Sequence, residues 1–143
     1  MKIIAHRGNI NGRQPARENT HDYIIESMSQ FDVEIDIWVK KSELYLGHDR
    51  PEEKTNLDFL LKYSNKLWIH CKNIEALDFL KNFDLNCFGH DFDRFVLTSK
   101  GFIFTYPKSK QSKWSVLVDL NGDSEAENID CFGICTDYPI KYL

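Results

Sequence analysis

The sequence has little of what would place it in or across a membrane. Its first apolar run, Ile3-Ile4-Ala5, ends at His6 and Arg7, and no later run is much longer. A secretory leader needs an apolar stretch of roughly 7–15 residues, and a spanning helix needs about 20. The expectation is a cytoplasmic protein with no integral membrane association. The four cysteines, Cys71, Cys87, Cys131 and Cys135, form no CxxC pair. Without an export signal, an even cysteine count does not read as a disulfide framework. Buried free thiols are expected, with a disulfide or a zinc site as the lesser alternatives. Seven glycines and four prolines are too few and too scattered for a linker or a low-complexity tract. There is also no excess of positive charge: 18 Lys+Arg stand against 22 Asp+Glu. That balance argues against a broad footprint for nucleic acid or an anionic membrane, but it leaves room for a small basic pocket.

What remains is a globular composition, 42% hydrophobic and 28% charged, over 143 residues. This is the size of one domain, spanning residues 1–143. Eight segments read as strands: Lys2–His6, Phe31–Lys40, Glu43–Gly47, Lys66–Cys71, Asn86–His90, Phe102–Tyr106, Ser115–Leu120 and Cys131–Thr136. In the second, Val33, Ile35, Ile37 and Val39 point one way, and Glu34, Asp36 and Trp38 the other. Helical spacing predicts helices over His21–Gln30, Asn56–Tyr63 and Ile74–Asn82, with Thr20 and Asn73 placed to cap the first and last. Ser124 and Glu127 resemble a capping box for about one turn. The first half therefore alternates strand and helix, and the second half is mostly strand and loop.

Ionisable residues gather at the predicted C-terminal ends of these strands. His6 and Arg7 end the first, His48 and Asp49 the third, His70 and Lys72 the fourth, and His90 and Asp91 the fifth. In parallel βα architectures that end is where active sites are built. Glu34 and Asp36, two apart on one strand, project from the same face. Two adjacent inward carboxylates repel unless a cation lies between them, and hard divalent cations favour such oxygen pairs. An exposed strand face would accommodate the pair equally well. Two imidazoles in one pocket can act as base and acid, and Arg7 and Lys72 could bind phosphate. Taken singly, each histidine also fits a structural hydrogen bond, and each cation a solvated surface.

Ile4-Ala5-His6-Arg7-Gly8, Glu18-Asn19-Thr20, Glu34-Ile35-Asp36 and Gly47-His48-Asp49, in this order, resemble the glycerophosphodiester phosphodiesterases. That family has a strand ending in HRG, a PENT segment, an E-x-D strand and an HD. Thr136-Asp137-Tyr138-Pro139 looks like its closing T-D-x-P. The resemblance is specific over residues 3–49 and thin over 73–130. It implies an α/β fold, a compact TIM-type (β/α) barrel with reduced or missing helices in the second half. It also implies phosphodiester hydrolysis of a glycerophosphodiester or related phospho-alcohol. His6 and His48 would be the catalytic acid/base pair, and Arg7 and Lys72 would bind phosphate. Glu18 would support Arg7, and Glu34 and Asp36 would hold Mg²⁺ or Ca²⁺. Two positions depart from the family pattern. Arg17 replaces the proline of PENT, and His70-Cys71-Lys72 replaces the usual carboxylate-x-Lys of the fourth strand. With His70 as third ligand, Mn²⁺ or Zn²⁺ also suits the site. Two alternatives stay open: a non-catalytic phosphate-binding pseudoenzyme, and a metal-independent lyase of the phospholipase C type. The expected partner is a small-molecule phosphodiester, not nucleic acid. A homodimer is one way to cover strand faces left bare by missing helices.

Overall fold

The computed structural model describes all 143 residues. Ten strands form a single mixed sheet: β1 (Lys2–His6), β2 (Asp32–Lys40), β3 (Glu43–Leu46), β4 (Glu53–Thr55), β5 (Leu67–Cys71), β6 (Asn86–Phe88), β7 (Phe95–Leu97), β8 (Ile103–Thr105), β9 (Ser115–Val118) and β10 (Gly133–Thr136). Parallel pairing runs β6-β5-β2-β1-β10-β9-β8. The C-terminal half of β2 leaves this array and pairs antiparallel with β3, which pairs antiparallel with β4. The two-residue turn Lys41-Ser42 has φ of +50° and +63°, the mirror-image hairpin turn that matches strand twist.

Three helices follow strands in the first half: α1 (His21–Met28), α2 (Leu57–Lys62) and α3 (Ile74–Leu80). Thr20, Asn56 and Asn73 cap them, each side chain accepting a backbone N–H of the first turn. The predicted capping box at Ser124 does not form. Ala126–Asn128 is a single 3₁₀ turn preceded by Glu125, with no side-chain cap. All four cysteines are free thiols.

The sheet has a core on each face. Ile24 and Met28 of α1, Leu60 of α2, and Ala76 and Leu80 of α3 pack on the convex face against Val33, Ile35, Ile37 and Ile69. The concave face is filled by Ile4, Trp68, Phe88, Phe104, Val116, Val118 and Cys135. The alternation along β2 explains the division: odd residues face the helices, while Asp32, Glu34 and Asp36 face the concave side.

The expected TIM-type (β/α) barrel is not what forms. The protein is a strand-rich curled sheet with few helices, open between β6 and β7. Only six residues, Gly89 to Arg94, join these strands, fewer than in any parallel connection of this sheet, the shortest of which is the nine residues 106–114 between β8 and β9. β7 therefore returns antiparallel to β8. No ladder joins it to β6, and the two edges meet through Ser99 instead. Its N–H donates to the Cys87 carbonyl at 2.8 Å, and its Oγ accepts the Cys87 N–H at 2.9 Å. β4 and β7, three residues each, are too short to show an alternating pattern in the sequence.

Candidate functional site

A cavity of about 450 Å³ opens at the C-terminal ends of the parallel strands. Among its lining residues are His6, Arg7, Glu34, Asp36, His48, His70 and Lys72. These come from β1, β2, the turn after β3, and β5. Glu18 lies just behind, in the segment leading to α1. Gly47 makes the turn that delivers His48. Its φ is +150°, and a Cβ there would lie 2.0 Å from the Arg50 carbonyl oxygen.

Glu34 and Asp36 each have one oxygen against Arg7 and one turned toward His70. Asp36 Oδ2 lies 2.9 Å from Asn19 Nδ2 and 3.2 Å from Arg7 Nε. Its Oδ1 faces His70 Nδ1 at 3.1 Å and Lys72 Nζ at 4.0 Å. Glu34 Oε2 accepts the Arg7 backbone N–H at 3.3 Å and lies 3.9 Å from His6 Nε2. Its Oε1 is 4.0 Å from His70 Nδ1. Glu34, Asp36 and His70 thus offer one ligand atom each, all within 4.8 Å of one another. This buried cluster can hold a metal ion, and its two oxygens and one imidazole nitrogen fit a divalent cation.

The electrostatics separate the two carboxylates. Burial and the Asp36 charge push Glu34 above its ordinary range, against His6, His70 and Arg7. Burial also acts on Asp36, but the His48 and His70 imidazoles beside it and the Arg7 charge hold it well below its usual value. Asp36 is the anchored anion, and Glu34 is the group that gains most from an added cation.

Arg7 is held on three sides. Besides Asp36, it pairs through Nη1 with Glu18 Oε2 at 3.2 Å and donates from Nη2 to His48 Nδ1 at 2.6 Å. A guanidinium cannot accept, so His48 Nδ1 accepts and its Nε2 carries the proton in this tautomer. Arg7 has φ of +53°, an uncommon conformation for a residue with a side chain. Its own backbone N–H is fixed on the Glu34 carbonyl at 2.9 Å.

His6 Nδ1 lies 2.7 Å from Asp137 Oδ1. Donation to that carboxylate leaves Nε2 turned to Glu34 and the cavity. Burial alone would lower the His6 pKa, but the Asp137 hydrogen bond and the Glu34 charge together raise it. Asn9 ties Asp137 to Glu18, with Nδ2 at 2.8 Å and 3.0 Å from their oxygens.

Further polar groups support or line the cavity. Behind its wall, Asp137 was visible both at the end of the last predicted strand and in the T-D-x-P likeness, and Asn19 only as the middle of Glu-Asn-Thr. His90 stacks on His70 with ring centroids 4.7 Å apart, and its Nε2 is 2.7 Å from the Tyr106 hydroxyl. Burial and the neighbouring His70 charge lower the His90 pKa. Nothing local in the sequence marks Tyr106, which reaches the site from the far side of the sheet. Phe88, Phe104, Val118 and Leu120 form an apolar wall opposite the carboxylates. No helix is long and apolar enough to cross a membrane. No protein-family model, curated protein or solved structure matches the chain.

Proposed function

We propose that this cavity cleaves phosphodiesters with the help of a divalent cation, acting on a glycerophosphodiester or a related phospho-alcohol. The observation that carries the reading is the convergence of Glu34 Oε1, Asp36 Oδ1 and His70 Nδ1, ringed by Arg7, Lys72, His6 and His48. The likeness to glycerophosphodiester phosphodiesterase motifs supports the same reading, as a similarity of site and not of barrel. A cation held by the three ligands would supply Lewis-acid polarisation of a phosphoryl oxygen. Mg²⁺ and Ca²⁺ suit the carboxylates, and the imidazole of His70 extends the choice to Mn²⁺ or Zn²⁺. Arg7 and Lys72 would neutralise the non-bridging oxygens. His6, its tautomer set by Asp137, offers Nε2 as the base for the attacking hydroxyl. His48 would act as the acid in its doubly protonated form, with Nδ1–H turned from Arg7 to Asp36 Oδ2, 3.4 Å away, and the Nε2 proton given to the leaving oxygen.

One observation favours a metal-independent lyase as the second reading. Arg7 and Lys72 already lie 3.2 Å and 4.0 Å from the Asp36 carboxylate, so positive charge is present without a metal. Hydrolysis of bis(p-nitrophenyl) phosphate and of a glycerol phosphodiester separates the two. Mg²⁺, Ca²⁺, Mn²⁺ and EDTA would be compared on wild type, His6→Ala and Glu34→Ala. The proposal expects metal-stimulated turnover that EDTA abolishes, and a loss of roughly 10²-fold or more in each variant. Activity untouched by EDTA and by Glu34→Ala would select the lyase. No turnover of either diester with any metal would sink the hydrolase reading.

A further inference from the structure

The acidic net charge conceals a segregated basic segment. Residues 94–113 contain Arg94, Lys100, Lys108, Lys110 and Lys113 and no acidic residue, so all 22 acids lie elsewhere. Eleven of the 18 lysines and arginines engage a carboxylate, Lys100 among them through Asp84, but Arg94, Lys108, Lys110 and Lys113 form no ion pair. All four are exposed.

Large apolar side chains stand among these free cations. Phe92 is 97% exposed, Phe95 and Leu97 are each 66% exposed, and Trp114 is 50% exposed. Phe95 and Leu97 alternate on the outer face of β7, which pairs only with β8. The Ser109 hydroxyl reaches the Arg94 carbonyl at 3.4 Å, which brings Lys108 and Lys110 beside Arg94 and the start of β7. Phe92 and Arg94 also line the mouth of the cavity, next to Asp91 and Asp93.

We infer that this edge of the sheet is a docking surface for an anionic lipid bilayer. Protruding aromatic and aliphatic side chains flanked by unpaired cations are what an anionic membrane surface takes up: the rings enter the headgroup region and the lysines meet lipid charge. A second copy is a poor occupant. Pairing β7 with its own image would set two cationic segments against each other. A nucleic acid is served less well by a convex strip with Phe95 and Leu97 at its centre than by a groove with stacking rings. The inference is independent of the chemistry proposed for the cavity.

The test is co-sedimentation of the full chain with vesicles of phosphatidylcholine, or of equal parts phosphatidylcholine and phosphatidylglycerol. Binding to the anionic vesicles alone is expected, weakening as salt rises. Lys108→Ala with Lys110→Ala should lower the partition coefficient roughly thirtyfold. Phe92→Ala with Phe95→Ala should also lower it. Lys40→Ala with Lys41→Ala, exposed and unpaired on the β2–β3 turn, should leave it unchanged. These residues are all exposed, so the variants should keep the wild-type circular dichroism spectrum. Three results would overturn the inference: no binding to anionic vesicles, equal loss in the Lys40/Lys41 control, or self-association or oligonucleotide binding through residues 92–114 in place of vesicle binding.

Discussion

Asn19 shows how much one residue does behind the cavity. It grips Asp36 twice, donating from Nδ2 to Oδ2 and accepting the Asp36 backbone N–H at Oδ1, both at 2.9 Å. Its φ is +55°, a conformation that asparagine tolerates better than most residues. Asn19→Gly should keep the backbone and lose both bonds, at about 1–3 kcal/mol. Asn19→Ala adds the left-handed penalty, about 1 kcal/mol more. Urea denaturation should therefore rank wild type above Gly and Gly above Ala. Because Asn19 orients Asp36, a proposed ligand, without being one itself, either variant should also weaken metal binding by roughly 10–100-fold.

At this scale the sequence was informative where short motifs carry chemistry. His6, Arg7, Glu34, Asp36, His48, His70 and Lys72 all line one cavity. Alternation on β2 was enough to send Glu34 and Asp36 to one face. Asp137 was marked by its strand-end position, but its pairing with His6 was not legible, and neither was Tyr106. Those places depend on β10 pairing with β1 and on the curl that carries β8 across the cavity.

Among the elements, the Ser99 contact between the two open edges is the most exposed to a single change. Ser99→Ala would leave the Cys87 N–H without the hydroxyl it donates to, and Leu85 O without the donor it accepts. The expected loss is about 1 kcal/mol, with faster hydrogen exchange at Cys87 than at the β5 amides.

The loop after β9 has an anchor of its own. Asp119 accepts the backbone N–H of Ser124 at 2.7 Å and of Asp123 at 3.2 Å. Burial raises its pKa, but these bonds outweigh it and hold the carboxyl below its ordinary 3.8. A depressed folded-state pKa gives stability that is present above the unfolded value and lost as pH falls through the folded one. Asp119→Asn should thus be less stable than wild type at neutral pH, and the gap should narrow below about pH 4. Urea midpoints measured across that range check it.

The elements themselves were read well where they were long and periodic, and poorly where they were short. Thr20 and Asn73 cap the helices expected of them. β4 and β7 lack the length to carry a pattern.

The whole molecule departs most from expectation. Eight strand-like segments and a strand-end cluster of polar groups suggest a closed barrel, because sequence periodicity reports each strand's faces and not its neighbours. What decides closure is the length of each connection. The six-residue link after β6 cannot cross over, so β7 reverses and the sheet stays open. The cavity nevertheless keeps the feature that matters for chemistry, parallel strands delivering their C-terminal ends to one place. The same economy of helices leaves the outer face of β7 bare, where Phe95 and Leu97 meet unpaired cations.

Titration of Mn²⁺ into chelator-stripped protein, followed by electron paramagnetic resonance, tests most directly whether Glu34, Asp36 and His70 together hold a divalent cation. Wild type should bind a single tight equivalent, and Glu34→Gln and Asp36→Asn should each lose it while remaining folded. Absence of a tight equivalent in wild type, or binding unchanged in both variants, would contradict the account.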